Sequence, residues 1–257
     1  MIDAVEVRSD VELPRHELEA VQEQVSSLDR YTDEPIIGVR LTLRSGPGRT
    51  KNRYVADGHV VFEGRVLAAH AAGPNPLEAT DAAVTRLRGQ LRRVTGAEVA
   101  RRNEPVQIRK ALDDLSPDIS QRPQPSYKPP EAREIVRRRT YAARPEGTLE
   151  AVSEMLDLDE EFHLFVHIRT GEDVVVHWLE EVKVGLIHPR NSALADETDD
   201  IVVAWPSRYS EPQTLDTVRG EMDLVNHRFL YFIDVEDGRG KVIYLRHDGD
   251  YGLVVPE

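Results

Sequence analysis

Residues 148–189, TLEAVSEMLDLDEEFHLFVHIRTGEDVVVHWLEEVKVGLIHP, recur imperfectly as residues 214–256, TLDTVRGEMDLVNHRFLYFIDVEDGRGKVIYLRHDGDYGLVVP. Thr148-Leu149, Val152 and Asp157 match Thr214-Leu215, Val218 and Asp223 at an offset of 66. One inserted residue later the offset is 67, which pairs Phe162 with Phe229, Phe165 with Phe232, Gly171 with Gly238, Gly185 with Gly252 and Pro189 with Pro256. A repeat of this size is one folding unit, so the C-terminal half is a tandem pair. Each unit starts somewhat earlier, where Glu134-Ile135-Val136 corresponds to Asp200-Ile201-Val202. The expected unit is a strand, a short helix (Thr148–Leu156; Thr214–Leu224) and a hairpin of two strands turning at Gly171 or Gly238. A unit of about 55 residues has little room for a core of its own, so pairing of the two copies would bury what each leaves exposed. The residues expected to make that pairing are Phe162, Phe165, Val175, Phe229, Phe232, Val242, Tyr244 and Tyr251.

The net charge of −13 hides a lopsided distribution. Residues 1–39 carry −7, residues 40–102 carry +7, residues 103–147 carry +2 and residues 148–257 carry −15. A local cationic field inside an acidic chain bears on partners more directly than the total does. The 257 residues contain no cysteine, which excludes disulfides, thiolate metal sites and cysteine nucleophiles. No apolar run approaches the roughly 20 residues of a membrane span, and the acidic N-terminal stretch does not read as a secretory signal. A cytoplasmic protein without membrane contact is expected.

The first hundred residues follow a βαβββα pattern. Val5 and Val7 mark a strand, and Pro14 opens a helix with Leu18, Val21, Val25 and Leu28 on one face. Ile37, Val39, Leu41 and Leu43 alternate with Gly38, Arg40, Thr42 and Arg44, as in a strand with one wet face. Strands follow near Tyr54–Phe62 and Arg65–Ala71, then a long helix whose apolar stripe is Leu77, Val84, Leu87, Leu91 and Val94. Residues 103–147 hold 7 of the 16 prolines. The stretch from Pro105 to about Pro130 reads as a linker of about 30 residues, spanning roughly 30 Å if flexible. The expected division is 1–102, a linker 103–132, a first repeat 133–191 and a second repeat 199–257. The fold class is α+β, with the repeats forming a pseudo-dimer within one chain.

Arginines cluster where a polyanion could meet rigid structure. Arg86, Arg92 and Arg93 point away from the stripe of the second helix, with Arg88 at its edge and Arg101 and Arg102 beyond its end. Arg40 and Arg44 lie on the wet strand face, and Arg49, Lys51 and Arg53 sit in the adjoining glycine-rich loop. Guanidinium groups bind phosphate bidentately and keep their charge, so this group is the candidate RNA surface. Few aromatics accompany it (Tyr54, Phe62), which favours recognition of backbone and shape over bases. The loop SGPGRTKNR lacks the Gly-Lys-Ser/Thr ending of a nucleotide-binding loop and leads into a strand, so it is a hairpin loop carrying cations. His163, His167 and His177 could share one sheet face near Asp173, but the second repeat has Leu230, Asp234 and Tyr244 there. No metal, no cofactor and no catalytic constellation is expected.

The second repeat's FLYFIDVEDGRGKVIYLRHDGDYGLVVPE resembles the C-terminal domain of long-form ribosome hibernation promoting factors. That domain has a Phe-rich strand, a Val-x-Tyr-x-Arg strand and an Asp-Gly-x-Tyr-Gly-Leu-Ile-x-Pro tail, matched here by Val242, Tyr244, Arg246, Asp248, Gly249, Tyr251, Gly252, Leu253 and Pro256. Residues 134–141, EIVRRRTY, resemble its start, and HAAGPNPLEATDAAVTRLRGQLRR (70–93) resembles the family's N-terminal half, which is similar to a double-stranded-RNA-binding domain. The resemblance implies a stress-linked, non-enzymatic factor. Its N-terminal domain would lie in the rRNA decoding region of the small ribosomal subunit and block messenger and transfer RNA, with Arg86, Arg92 and Arg93 near the family's basic positions. In long forms the C-terminal domain pairs between copies and joins two ribosomes. This chain departs from that pattern, because it carries two such units and the first reads Glu181-Val182-Lys183-Val184-Gly185 in place of the Asp-Gly-x-Tyr-Gly turn. Such duplication resembles a subset of actinobacterial members. Copies joined by a short linker meet at an effective concentration near millimolar. The expectation is therefore a monomer that silences single ribosomes, with ribosomal proteins as further partners of the repeats. The alternative is a stress-induced RNA- or partner-binding regulator that leaves the decoding region open.

Overall fold

The computed structural model describes residues 2–46, 53–62, 64–95, 105–114, 123, 125–141, 144–179, 183–209, 211–225 and 227–257. The chain divides into two compact units, one of Met1–Gln124 with Leu156–Glu160 and one of Pro125–Met155 with Glu161–Glu257.

In the first unit β1 (Val5–Ser9) leads through α1 (Arg15–Ser26) and a 3-10 turn (Ser27–Tyr31) to β2 (Ile36–Ser45). Two hairpins add β3 (Tyr54–Phe62) and β4 (Arg65–Gly73), and α2 (Pro76–Val94) follows. The sheet order is β1-β2-β3-β4, with β1 parallel to β2 and the remaining pairs antiparallel. Both helices cover one sheet face, where Val21, Val25 and Leu28 meet Leu41, Val60, Phe62, Leu67, Leu87, Leu91 and Val94 in one buried cluster. Helix α2 starts sharply because Pro76 occupies its first turn and Asn75 caps it, accepting from the Glu78 N–H at 2.8 Å while Glu78 Oε1 accepts from Asn75 Nδ2 at 2.7 Å. Gly73 lets α2 pack closely, since a Cβ there would lie 2.6 Å from the Ala79 nitrogen.

Two expectations change here. A register shift between Ile36 and Gly38 turns Ile36 into the core and leaves Ile37 half exposed, so the alternation over β2 starts one residue earlier than read. The stretch read as linker contains α3 (Pro105–Asp114), which buries Ile108, Ala111 and Leu112 at i, i+3 and i+4.

The second unit contains β5 (Ile135–Tyr141), β6 (Pro145–Glu146), α4 (Thr148–Asp157), β7 (Phe162–His167), β8 (Asp173–Trp178) and β9 (Val184–His188). The second copy supplies β10 (Val202–Pro206), α5 (Leu215–Val225), β11 (Phe229–Ile233), β12 (Gly240–Leu245) and β13 (Tyr251–Pro256). Each copy is an antiparallel three-strand meander, one strand more than its hairpin pattern predicts. The opening strands do not stay with their own copies. β5 runs parallel to β13 of the second repeat, and β10 runs parallel to β9 of the first, giving sheets β11-β12-β13-β5 and β10-β9-β8-β7-β6. The exchange covers an edge strand in each sheet, whose unpaired backbone groups would otherwise invite another chain. Gly171 and Gly238 sit at φ 68° and 69°, so the hairpin glycines supply a left-handed residue at equivalent turns.

Candidate nucleic-acid interface and the pairing of the repeats

The arginines read from the sequence fall into three settings. Arg88 and Arg92 project from α2 with their guanidinium groups each 5.3 Å from the centre of the Tyr31 ring, and Arg88 also reaches the Tyr31 hydroxyl at 3.4 Å. Tyr31 was not among the sequence candidates; its place after α1, on the helix that packs beside α2, was the available signal. Arg40 pairs with Glu6 at 2.7 Å on the open face, and Arg44 pairs with Asp57 at 2.6 Å. Arg86 meets Asp159 at 3.1 Å and Arg93 pairs with Asp157, both in the Leu156–Glu160 segment of this unit. Their side chains are 13% and 10% exposed, so they are largely covered, whereas Arg92 is exposed. Arg53 is exposed at the start of β3, and Arg49, Lys51, Arg101 and Arg102 lie outside the described residues.

His70 extends the open face of the sheet, its Nδ1 lying 2.8 Å from Asp57 Oδ1. Burial disfavours its charge, but the Asp57 carboxylate outweighs this and raises the pKa above the ordinary imidazole value. His59, edge-on to His70 at 6.1 Å, is shifted down by burial and then by the neighbouring imidazole.

The repeats meet through a shared cluster of Leu164, Val175, Tyr231, Val242 and Val254, with Tyr141, Phe162, Ile187, Phe229, Ile233 and Tyr244 packed on it. Phe162 stacks on its counterpart Phe229 at 4.8 Å. Five of the eight expected pairing residues are therefore in this cluster: Phe162, Val175, Phe229, Val242 and Tyr244. The other three are not. Strand side chains alternate faces, so Phe165 and Phe232, three residues beyond Phe162 and Phe229, point to the opposite side. Phe232 and Tyr251 pack with Val218 and Met222 of α5 in the second copy's own core, and Phe165 lies between His163 and His167. Leu164 and Tyr231, two residues beyond Phe162 and Phe229, take their places.

Asp173 is the polar centre of this interface and was missed as such. Its carboxylate accepts from Arg239 at 2.8 and 2.9 Å, from the Tyr141 hydroxyl at 2.5 Å and from the Gly240 N–H at 2.8 Å. Its backbone carbonyl accepts from Tyr231 at 2.6 Å. Burial pushes the carboxyl up, but Arg239, Tyr141 and the Gly240 N–H together hold it below the ordinary aspartate value. The counterpart of Asp173 in the second copy is Gly240 itself, and a Cβ at Gly240 would overlap the Asp173 Cβ. The two copies are thus complementary: one supplies the acid and the other the gap. Gly185 and Gly252 are matched in a different way. A Cβ there would overlap His177 and Trp205 in the first sheet, or the Tyr244 ring in the second. The Asp248-Gly249 turn has Gly249 at φ 86°, where a Cβ would lie 2.7 Å from the Ser126 carbonyl oxygen. This turn anchors the segment before β5, through Lys128 to Asp250 at 2.6 Å and Arg133 to the Tyr251 hydroxyl at 2.9 Å.

The three histidines of the first repeat do not form one group. His177 pairs across β7–β8 with Phe162 and shares its face, so it lies opposite His163 and His167. His167 is 3.4 Å from Glu197. His163 instead belongs with Glu146 and Glu154, all three offering ligand atoms within 4.8 Å of one another. Burial, then the charge of Glu154, raises the Glu146 carboxyl above its ordinary value.

Among the described residues no helix is long and apolar enough to cross a membrane. A family model for the sigma 54 modulation protein/S30EA ribosomal protein matches residues 5–97. The model for the C terminus of the same family matches twice, over residues 130–186 and 198–253. The chain is 30% identical over 134 residues to a dormancy associated translation inhibitor of Mycobacterium tuberculosis, covering 48% of this chain and 47% of the relative. It is 31% identical over 67 residues to a ribosome hibernation promotion factor of the same species, covering 26% of this chain and 31% of the relative. The match thus spans less than half the length of these relatives. The Thermus thermophilus Protein Y N-terminal domain aligns at 23% identity over 36% of this chain and 96% of its own, with a TM-score of 0.29 that is too low to argue from. Three matches of one family's modules, in order and covering most of the chain, leave a plain conclusion: the chain belongs to the sigma 54 modulation/S30EA family, that of the long-form ribosome hibernation promoting factors, with the C-terminal module present twice.

Proposed function

We propose that this chain is a ribosome hibernation factor that binds the decoding region of the small subunit, excludes messenger and transfer RNA by occupancy, and keeps single ribosomes inactive under stress. It acts in the cytoplasm as a binding protein, not an enzyme. The observation that carries this reading is the family's N-terminal module with Arg40, Arg88 and Arg92 on its rigid helix and sheet. The double-stranded-RNA-binding-like arrangement of the βαβββα unit fits recognition of phosphate and shape. Arg88 and Arg92 are preorganised on Tyr31, so little side-chain entropy is lost when phosphate replaces water around them.

The Asp173–Gly240 complementarity supports a monomer. First-with-first pairing between chains would set two Asp173 carboxylates together, and second-with-second pairing would leave Arg239 without its acid. Pairing first with second inside one chain satisfies both and benefits from high effective concentration. The repeats are then free to dock on ribosomal protein.

The test is competition on purified small subunits. The chain should displace bound transfer RNA at stoichiometric amounts, and R88E/R92E should lose binding at least about tenfold in a salt-dependent way. Tight binding that leaves transfer RNA in place, or binding indifferent to R88E/R92E, would favour a regulator acting elsewhere.

A further inference from the structure

We propose that Glu146, Glu154 and His163 form a binding site for one divalent transition-metal ion of the zinc type inside the first repeat. The three residues come from three elements: Glu146 ends β6, Glu154 lies on α4 and His163 lies on β7. Their ligand atoms lie within 4.8 Å of one another, and Glu146 Oε2 is 3.9 Å from His163 Nε2. Ligands bound at about 2.1 Å in a tetrahedral shell are separated by about 3.4 Å, so an ion would draw the three inward by a modest amount.

A second, independent observation is the state of Glu146. The residue is only 7% exposed, yet its Oε2 has no hydrogen-bond partner. Its strongest charged neighbours are the Glu154 carboxylate and the His163 imidazole, with Glu150 and Arg144 contributing less. A desolvated carboxylate beside another acid needs a cation to offset the repulsion. Two carboxylates and one imidazole form a three-ligand set that leaves a fourth position for water, as mononuclear zinc sites do. Calcium requires six to eight oxygen ligands and magnesium a largely hydrated octahedron, so neither suits three protein donors that include nitrogen.

The second copy acts as an internal control. Glu146 and Gln213 pair with His167 and Asp234, which are 67 residues apart, so they occupy equivalent places. Along the helix, where the offset is 66, Glu154 matches Gly220, and at 67 His163 matches Leu230. All three ligand residues are therefore specific to the first copy, whereas the core around them is shared. An ion there would tie β6, α4 and β7 together. The first repeat departs from the Asp-Gly-x-Tyr-Gly turn of the second, and the ion would give it a brace of its own.

The experiment uses the full chain, stripped with chelator and dialysed, then titrated with Zn2+ alone and, separately, with Co2+ as a spectroscopic probe. The expected result is one tight equivalent, tetrahedral-type cobalt absorption, and a higher unfolding temperature in zinc. E154Q, which sits on a half-buried helical position and is expected to fold, should lose at least about tenfold in affinity and abolish the thermal shift. H163Q should do the same, which separates a ligand role from a local effect on α4. No uptake by the wild type, or uptake unchanged in both variants, would overturn the site.

Discussion

Substituting Asp173 with alanine tests the pairing of the repeats most sharply. The carboxylate accepts four hydrogen bonds, two from Arg239 and one each from Tyr141 and the Gly240 N–H. Arg239 is 38% exposed and can be rehydrated, so its loss counts for no more than about 1 kcal/mol. The Gly240 N–H is left unpaired in a buried place and the part-buried Tyr141 hydroxyl loses its acceptor and keeps only Arg239 beside it, at about 1 kcal/mol each. The total is about 3 kcal/mol. For a unit of about 130 residues, an unfolding entropy of roughly 2 cal/mol/K per residue converts this to a fall of about 10 °C in melting temperature. The folded pKa of Asp173 lies below its unfolded value, so its contribution is present above the ordinary carboxylate range of about 4 and is lost as pH falls through the depressed value. The gap between D173A and wild type should therefore be full at pH 7 and close in strong acid. Calorimetry of the full chain across that range reads both effects. A fall of less than about 2 °C at pH 7, or a gap that widens in acid, would refute the assignment of Asp173 as the polar centre.

Gly252→Ala places a methyl group on the Tyr244 ring and should cost about 3 kcal/mol, visible as loss of the second unit's transition; a neutral G252A would mean that β12 and β13 are not so closely apposed. His70→Gln removes a histidine whose folded pKa is raised, so the stability it adds is complete below about pH 6.5 and fades as pH rises through the folded value. An exposure of 38% limits the effect to about 1 kcal/mol, and thermal melts of H70Q and wild type should converge by pH 9. In ribosome binding, R88E/R92E should reduce the slope of log affinity against log salt by about 2, measured by filter retention; an unchanged slope would place phosphate contacts elsewhere.

The elements of the first unit were readable because both periods are clean: β2 alternates, and α2 repeats Leu87, Leu91 and Val94 against the sheet. The bulge at Ile36 was not readable, because Ile36 and Ile37 are both apolar and alternation alone cannot choose between them. Helix α3 was hidden among prolines, although Ile108, Ala111 and Leu112 carry a single helical turn of pattern. The strand exchange has no local signature. Ile135 packs on the core of the second copy while Val136 stays half exposed, and neither residue type says which sheet the strand joins. Phe165 and Phe232 were assigned to the interface through their match in the repeat, when their odd spacing from Phe162 and Phe229 already placed them on the far face. The arginines were identifiable, but their partners Asp157 and Asp159 come from a segment far along the chain that no linear reading of residues 40–102 could supply. The acid at 173 and the gap at 240 were both visible, but their complementarity depends on which copies pair.

The central claim is that the N-terminal module holds the ribosome while the two C-terminal copies satisfy each other. Sedimentation of ribosomes with an equimolar amount of the purified chain through a sucrose gradient at low salt tests it most directly. The account predicts that the chain comigrates with single ribosomes and that no ribosome dimers form. Ribosome dimers, or a chain left at the top of the gradient, would contradict it.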